Sequence, residues 1–305
     1  MIGLTVIASD KPALPTAGLS AIKGPEVGFM AQRWSRRSFF GLTSVFSALG
    51  VPVFATKAWG QSPASPPSFA SDVFPAQDPA LVKEVVGVSH RDLKRVQELV
   101  ERQPALARAS IDWGFGDWEA CIDAASHVGN KPIADFLLAN GARPTIFSAA
   151  MMGQLDVVKA FIAARPGVQR TLGPHGLTLM WHAKQGGPDA AAVVQYLTAV
   201  GDADVQPTTL PLAAPDRDAI VGTYTYGSGP RDYFTIEVRR DMLGRDQLVI
   251  ERPGAPARQN LYHLGNLVFF PTGVPSAKIA FAKEGAKITQ LTVADPNVML
   301  TARRD

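Results

Sequence analysis

Between residues 88 and 204, apolar side chains recur at helical spacing. Leu155, Val158, Phe161 and Ile162 fall at i, i+3, i+6 and i+7, which is one face of a helix. Leu93, Val96, Leu99 and Val100 repeat the spacing after Asp92, and Gly129-Asn130-Lys131-Pro132 opens a third copy that ends in Leu137 and Leu138. Pro132 suits the first turn of a helix, where its missing N–H costs nothing. The intervening helices are shorter and rich in small residues, as at Ala124-Ala125-Ser126 and Ser148-Ala149-Ala150, so neighbouring hairpins can approach closely. Gly141, Gly153, Gly187 and Gly201 stand where helices must end, the place for a left-handed glycine. The pattern predicts a stack of helical hairpins, with three recognisable units and a degenerate first unit that could act as a cap. Its spacing is uneven: Gly129 to Gly153 is 24 residues and Gly153 to Gly187 is 34. The last outer helix is expected over 188–200.

After Asp204 the period changes from helical to alternating. Pro207, Pro211 and Pro215 mark a boundary. Short runs with period-2 alternation follow at 221–226, 233–238, 247–251, 259–262, 267–270, 278–281, 288–293 and 298–302, most of them separated by glycine-containing or charged turns. About eight short strands in a row suggest a meander curled into a small barrel, which removes the exposed edges. The expected fold is α+β and multidomain: an α-helical repeat stack over 79–206, then a small antiparallel β-barrel over 207–305. The many Val, Ile, Leu and Phe residues favour a barrel filled by side chains over one that holds an apolar ligand.

Two stretches of the helical region carry a resemblance. His175-Gly176-Leu177-Thr178-Leu179-Met180-Trp181-His182-Ala183-Lys184-Gln185-Gly186-Gly187 and Phe136-Leu137-Leu138-Ala139-Asn140-Gly141-Ala142-Arg143-Pro144 resemble the opening and closing of an ankyrin repeat (ANK repeat). The family's Thr-Pro-Leu-His is replaced here by Thr178-Leu179-Met180-Trp181. The β-region is similar to the lipocalin-like domain that follows serine-hydrolase domains in exported bacterial proteins. Val221-Gly222-Thr223-Tyr224, the strand at 248–251, Asn266-Leu267-Val268-Phe269-Phe270 and Gly285-Ala286-Lys287-Ile288-Thr289 carry that likeness. A repeat stack implies a binding surface without chemistry, and the barrel resemblance implies an accessory module with no catalytic residue to carry over.

The N-terminus adds a destination. Ser35-Arg36-Arg37-Ser38-Phe39-Phe40-Gly41 resembles a twin-arginine translocation signal, with Arg36, Arg37 and Phe39 as its core and an uncharged apolar run over 38–56 behind it. Small residues at Ala58 and Gly60 place signal-peptide cleavage before Gln61; the alternative is a retained inner-membrane anchor, so any membrane contact would be through this segment if uncleaved. Residues 1–60 are thus a signal peptide region whose true start could be Met30, and 61–78, rich in Ser, Pro and Ala, is a flexible linker. The mature chain is expected in the periplasm. A net charge of +3, with no basic run interleaved with aromatics, argues against a nucleic-acid partner. One cysteine, Cys121, excludes an internal disulfide and reads as a small core residue.

Candidate chemistry is sparse. None of His90, His127, His175, His182 and His263 forms an H-x-x-x-H pair or joins Cys121 at a metal-ligand spacing, so no metal ligand and no cofactor are assigned. No nucleophile elbow or phosphate loop is present: Gly227-Ser228-Gly229 and Gly114-Phe115-Gly116 lack the required context. The segment 111–119, between the first two units, holds Trp113, Phe115 and Trp118. It reads as a projecting finger for a partner, or as aromatics folded back over the first hairpin. The functional expectation is an exported, non-catalytic protein-binding module that uses Trp113, Phe115, Trp118 and Trp181 to hold another periplasmic protein. The alternative is a carrier or sensor for a small apolar ligand, held in the barrel or in the groove between the domains.

Overall fold

The structure is a computed structural model that describes residues 73–240 and 246–305. The export signal with Arg36, Arg37 and Phe39, and most of the expected linker, lie outside the described residues.

Four consecutive helical hairpins come first. They are α1 (Pro79–Val88) with α2 (Leu93–Arg102), α3 (Cys121–His127) with α4 (Lys131–Ala139), α5 (Ile146–Met151) with α6 (Leu155–Ala164), and α7 (Leu179–Gln185) with α8 (Ala191–Val200). The first helix of each hairpin packs on the first helix of the next. Start signals act where the sequence places them: the side chains of Asp92, Asn130 and Thr178 accept backbone N–H groups in the first turns of α2, α4 and α7. The periodic face goes inward, with Val96, Leu99 and Val100 of α2 and Ile133 and Leu137 of α4 in one apolar cluster. Gly141, Gly153, Gly187 and Gly201 all have positive φ, as helix ends require. At Gly153 a side chain is also excluded by space, because a Cβ would run into the Asp189 carbonyl of the last unit. The last outer helix is shorter than the sequence suggests. Gly187–Ala190 forms a 3₁₀ turn around Pro188, and α8 proper begins at Ala191.

A finger does interrupt the stack between α2 and α3. Strands β1 (Ser110–Asp112) and β2 (Trp118–Ala120) pair antiparallel, with Ile111 opposite Glu119. The tip turns on Gly114, Phe115 and Gly116, all at positive φ, and Asp112 Oδ1 accepts the N–H groups of Gly114 and Gly116.

Beyond the stack, Pro215 opens a short helix α9 (Ala214–Ile220) where the prolines predict only a boundary; a proline in the first turn is compatible with a helix start. Eight strands follow: β3 (Gly222–Thr225), β4 (Tyr233–Arg240), β5 (Asp246–Glu251), β6 (Gln259–Gly265), β7 (Val268–Pro271), β8 (Lys278–Glu284), β9 (Lys287–Asp295) and β10 (Asn297–Arg304). Each pairs antiparallel with the next, and β10 returns to β3 to close the barrel, setting Arg303 opposite Thr225. The expected eight-stranded meander barrel is therefore what the chain forms. Alternation sends Phe234, Ile236, Ile250, Phe269, Ile279, Phe281, Leu291 and Val293 into one buried cluster, joined by Ile220 from α9. Stack and barrel belong to one compact unit, Ser65–Asp305. Among the described residues no helix is long and apolar enough to cross a membrane.

Candidate metal centre

The buried polar residues collect on one side of the finger. Strand β2 alternates, so Trp118 points to solvent, 62% exposed, and Glu119 points inward, fully buried. Around the Glu119 carboxylate stand three histidines from three separate segments. His90 follows α1, His127 is the last residue of α3, and His175 lies in the turn Pro174–Gly176 before α7. Glu119 Oε1 is 2.8 Å from His127 Nε2, 3.3 Å from His175 Nε2 and 3.5 Å from His90 Nε2. His90 Nε2 and His127 Nε2 are 3.1 Å apart. One donor atom from each of the four residues lies within 4.8 Å of all the others.

The far atoms of these side chains are held as well. His175 Nδ1 sits 2.8 Å from Asp117 Oδ2, and Asp117 Oδ1 accepts the His175 backbone N–H at 2.8 Å. His175 takes a positive φ of 59° there, a conformation that costs a non-glycine residue energy and that the two Asp117 bonds hold in place. His90 Nδ1 donates to the Gly87 carbonyl at 2.9 Å, because a carbonyl can only accept. A donating Nδ1 leaves Nε2 with its lone pair. The Trp113 indole N–H donates to Glu119 Oε2 at 2.7 Å, which leaves Oε1 to face the imidazoles. Outer partners of this kind, present here on His90, His175 and Glu119, are what metal-ligating side chains usually carry.

Electrostatics follow from this packing. Burial alone pushes the Glu119 carboxyl upward, but hydrogen bonds from His127, His175 and His90 outweigh it and hold the group well below the usual carboxylate range. Burial disfavours a charged His175, yet Asp117 and Glu119 together raise it to about 10. His90 is raised in the same sense, with its Glu119 contacts overcoming burial. The raised His90 and His175 beside a buried anion thus act as proton-binding substitutes for a cation, and a metal ion would displace those protons.

The donor set can be matched to an ion. Tetrahedral metal–ligand bonds of about 2.0–2.2 Å place neighbouring donors about 3.3–3.6 Å apart; His175 and His90 Nε2 stand at such distances from Glu119 Oε1, 3.3 and 3.5 Å, and His127 Nε2 is closer, at 2.8 Å. Three nitrogens and one carboxylate oxygen suit zinc, iron, cobalt, nickel, copper or manganese rather than calcium or magnesium, which take oxygen ligands. Thiolate ligation is not offered. Cys121 is buried, lies against the Leu106 carbonyl, and has a thiol pushed up to about 12 by burial. The side chains of His90 and His175 are 24% and 29% exposed, so the cluster is reachable from solvent on their side.

The four predicted contact residues divide. Trp113 is half-buried on Glu119, and the Trp181 indole donates to the His127 carbonyl at 3.0 Å. Both therefore hold residues of the cluster. Phe115 packs against the apolar cluster of the barrel, and Trp118 stays open to solvent. The sequence reading assigned no metal ligand; the fold places His90, Glu119, His127 and His175 together although they are remote along the chain. The local signal that was available is the period-2 alternation of β2, which turns one carboxylate inward beside an outward tryptophan. His182, one unit on, is fully buried, with Nδ1 2.8 Å from Ser126 Oγ and no partner at Nε2. Beside His175 a cleft of about 340 Å³ lies between stack and barrel, lined by Leu172, Leu177, Tyr262, Phe270 and Pro275 among others.

Compared with known proteins, the chain matches no family model, and no characterised protein matches it in sequence.

Proposed function

We propose that this is a metal-binding protein that holds one divalent first-row transition ion through His90, His127, His175 and Glu119. The observation that carries the reading is the convergence of three Nε2 atoms on one buried carboxylate oxygen, with the outer atoms of His90, His175 and Glu119 already engaged. We read the surrounding hairpins as an ankyrin-like stack and the barrel as a lipocalin-like module. The Arg36-Arg37 signal supports twin-arginine export to the periplasm. That route carries folded cargo, which would let the ion be loaded before export. The test is titration of chelator-treated protein with Co²⁺ and Zn²⁺, followed by visible absorption and calorimetry. One equivalent should bind to the parent, and a Glu119→Ala, His127→Ala double variant should not bind. Equal binding by the double variant, or none by the parent, ends the proposal.

A second reading keeps a partner-binding, non-catalytic role and is favoured by one observation: Trp118 is 62% exposed on the finger. Large exposed aromatics of this kind are frequent binding anchors. The cleft beside His175 lies within the size range of small-ligand sites, which favours the groove over the filled barrel for any apolar ligand.

A further inference from the structure

The finger is gripped from both sides, and its outer side is the barrel. Gln259, the first residue of β6 and 4% exposed, donates from Nε2 to the Trp113 carbonyl at 3.0 Å. Gly273, in the turn between β7 and β8, lies directly against Asp117: a Cβ there would sit 2.8 Å from Asp117 Cγ and closer still to Oδ1. The same glycine backs onto Gly176, whose added Cβ would be 3.4 Å from the Gly273 Cα. Phe115, at the finger tip, packs on the barrel's own apolar cluster. Trp113 and Asp117 are the two residues that orient Glu119 and His175. Two of the cluster's outer supports, Trp113 and Asp117, therefore rest on barrel residues.

Resting on the metal-centre reading, we propose that the barrel sets the metal affinity of the stack. Gln259 and Gly273 act as positioning residues, and metal loading and barrel docking form one coupled equilibrium. The physical argument is reciprocity. If a docked barrel holds Asp117 and Trp113 where the ligands need them, it raises affinity for the ion, and a bound ion must tighten docking by the same factor. Loss of an outer partner typically lowers metal affinity roughly 10–100-fold. A side chain at Gly273 removes space under Asp117 and is also strained at φ 74°.

The experiment compares Co²⁺ affinity and the visible Co²⁺ spectrum in the full chain and in three variants: Gly273→Ala, Gln259→Ala, and Glu284→Ala on the exposed β8–β9 hairpin as a control. Gly273→Ala and Gln259→Ala should weaken Co²⁺ binding by roughly 10–100-fold and shift its ligand-field bands, with Glu284→Ala unchanged. A merely structural role would lower the melting temperature of the metal-free chain without moving the Co²⁺ bands. Should Gly273→Ala fail to fold, Gln259→Ala decides alone, since it removes one donor and adds no atoms. Amide hydrogen exchange on the parent gives a variant-free check: Zn²⁺ should raise protection at 259–260 and 272–274. Parent-like affinity in both variants, or unchanged exchange on the barrel, overturns this inference and leaves the metal centre standing. No Co²⁺ or Zn²⁺ binding by the parent overturns the metal centre itself.

Discussion

The two halves of the described chain bury different chemistry. The barrel cluster is made of aliphatic and aromatic side chains, and its one buried hydroxyl, on Tyr224, is satisfied by the Ile220 carbonyl at 2.7 Å. Among the described residues of the barrel, Gln259 is the buried polar side chain, and it bonds the finger rather than the barrel interior. The stack buries Asp117, Glu119, Asp123, Ser126, His127 and His182 within a few helical turns of one another. Buried polar groups cost free energy unless they are paired, so a wholly apolar core and one that adds a polar cluster to its apolar ones are different designs. The barrel's interior serves stability. The stack spends stability to hold a set of ligands, and the barrel supports that set from outside.

The largest expected effects separate these two designs. Phe269→Ala, in the middle of the barrel cluster, should cost about 3–5 kcal/mol of stability and leave the Co²⁺ spectrum of the remaining folded protein unchanged. Glu119→Ala should cost a comparable amount, about 3–5 kcal/mol, because it removes the anion that three imidazoles face. It should also abolish metal binding. Chemical denaturation with and without Zn²⁺ reads both. If Phe269→Ala altered the spectrum as much as Glu119→Ala did, the division of labour between the halves would be wrong.

Acid should find the polar half first. His182 is neutral when folded: burial, with His127 adding to it, lowers its pKa from 6.5 to about 3. A depressed histidine contributes stability that is present above 6.5 and lost as pH falls towards the folded value. Between pH 6.5 and about 5 this amounts to roughly 2 kcal/mol. Asp123 titrates in an overlapping window with the opposite sign. Burial, opposed by its Thr145 hydrogen bond, raises its carboxyl from 3.8 to about 6, so its contribution grows as pH falls through that range. The raised His175 adds stability fully present below 6.5, so it does not change in this window. The difference between His182→Leu and the parent therefore isolates His182. The variant should lose less stability on acidification than the parent, and parallel pH profiles would refute the assignment.

The barrel and the hairpins were legible because their physics is local. Alternation over 233–238 and 288–293 and the spacing of Leu155, Val158, Phe161 and Ile162 each lie within one element, and glycines at 141, 153 and 201 mark the ends. The His90, Glu119, His127 and His175 cluster was not legible because spacing tests such as H-x-x-x-H assume that ligands share a helix. Here His90, Glu119, His127 and His175 come from four segments, and only the stacking of hairpins joins them. Of the four, Glu119 lies within the aromatic run 111–119, which the sequence offers as a contact surface and not as a ligand source. The alternation of that run, followed one step further, turns Glu119 inward for the same reason that it turns Trp118 outward.

The smallest expected effect concerns that outward tryptophan. Trp118 and Trp113 lie on the same finger, yet Trp113 bonds Glu119 Oε2 at 2.7 Å, while the Trp118 side chain is exposed. Trp118→Ala should change stability by no more than about 0.5 kcal/mol, as an exposed substitution does, and should leave Co²⁺ affinity unaltered. Trp113→Ala should weaken Co²⁺ binding by roughly 10-fold or more through the freed Glu119 oxygen. Calorimetric titration of both variants makes the comparison. If a periplasmic protein is captured by the parent and by Trp113→Ala but lost with Trp118→Ala, the exposed face of β2 is a docking surface separate from the metal. If Trp118→Ala instead weakens metal binding as Trp113→Ala does, Trp118 belongs to the support of the cluster, and the period-2 division of the finger into an inner chemical face and an outer free face fails.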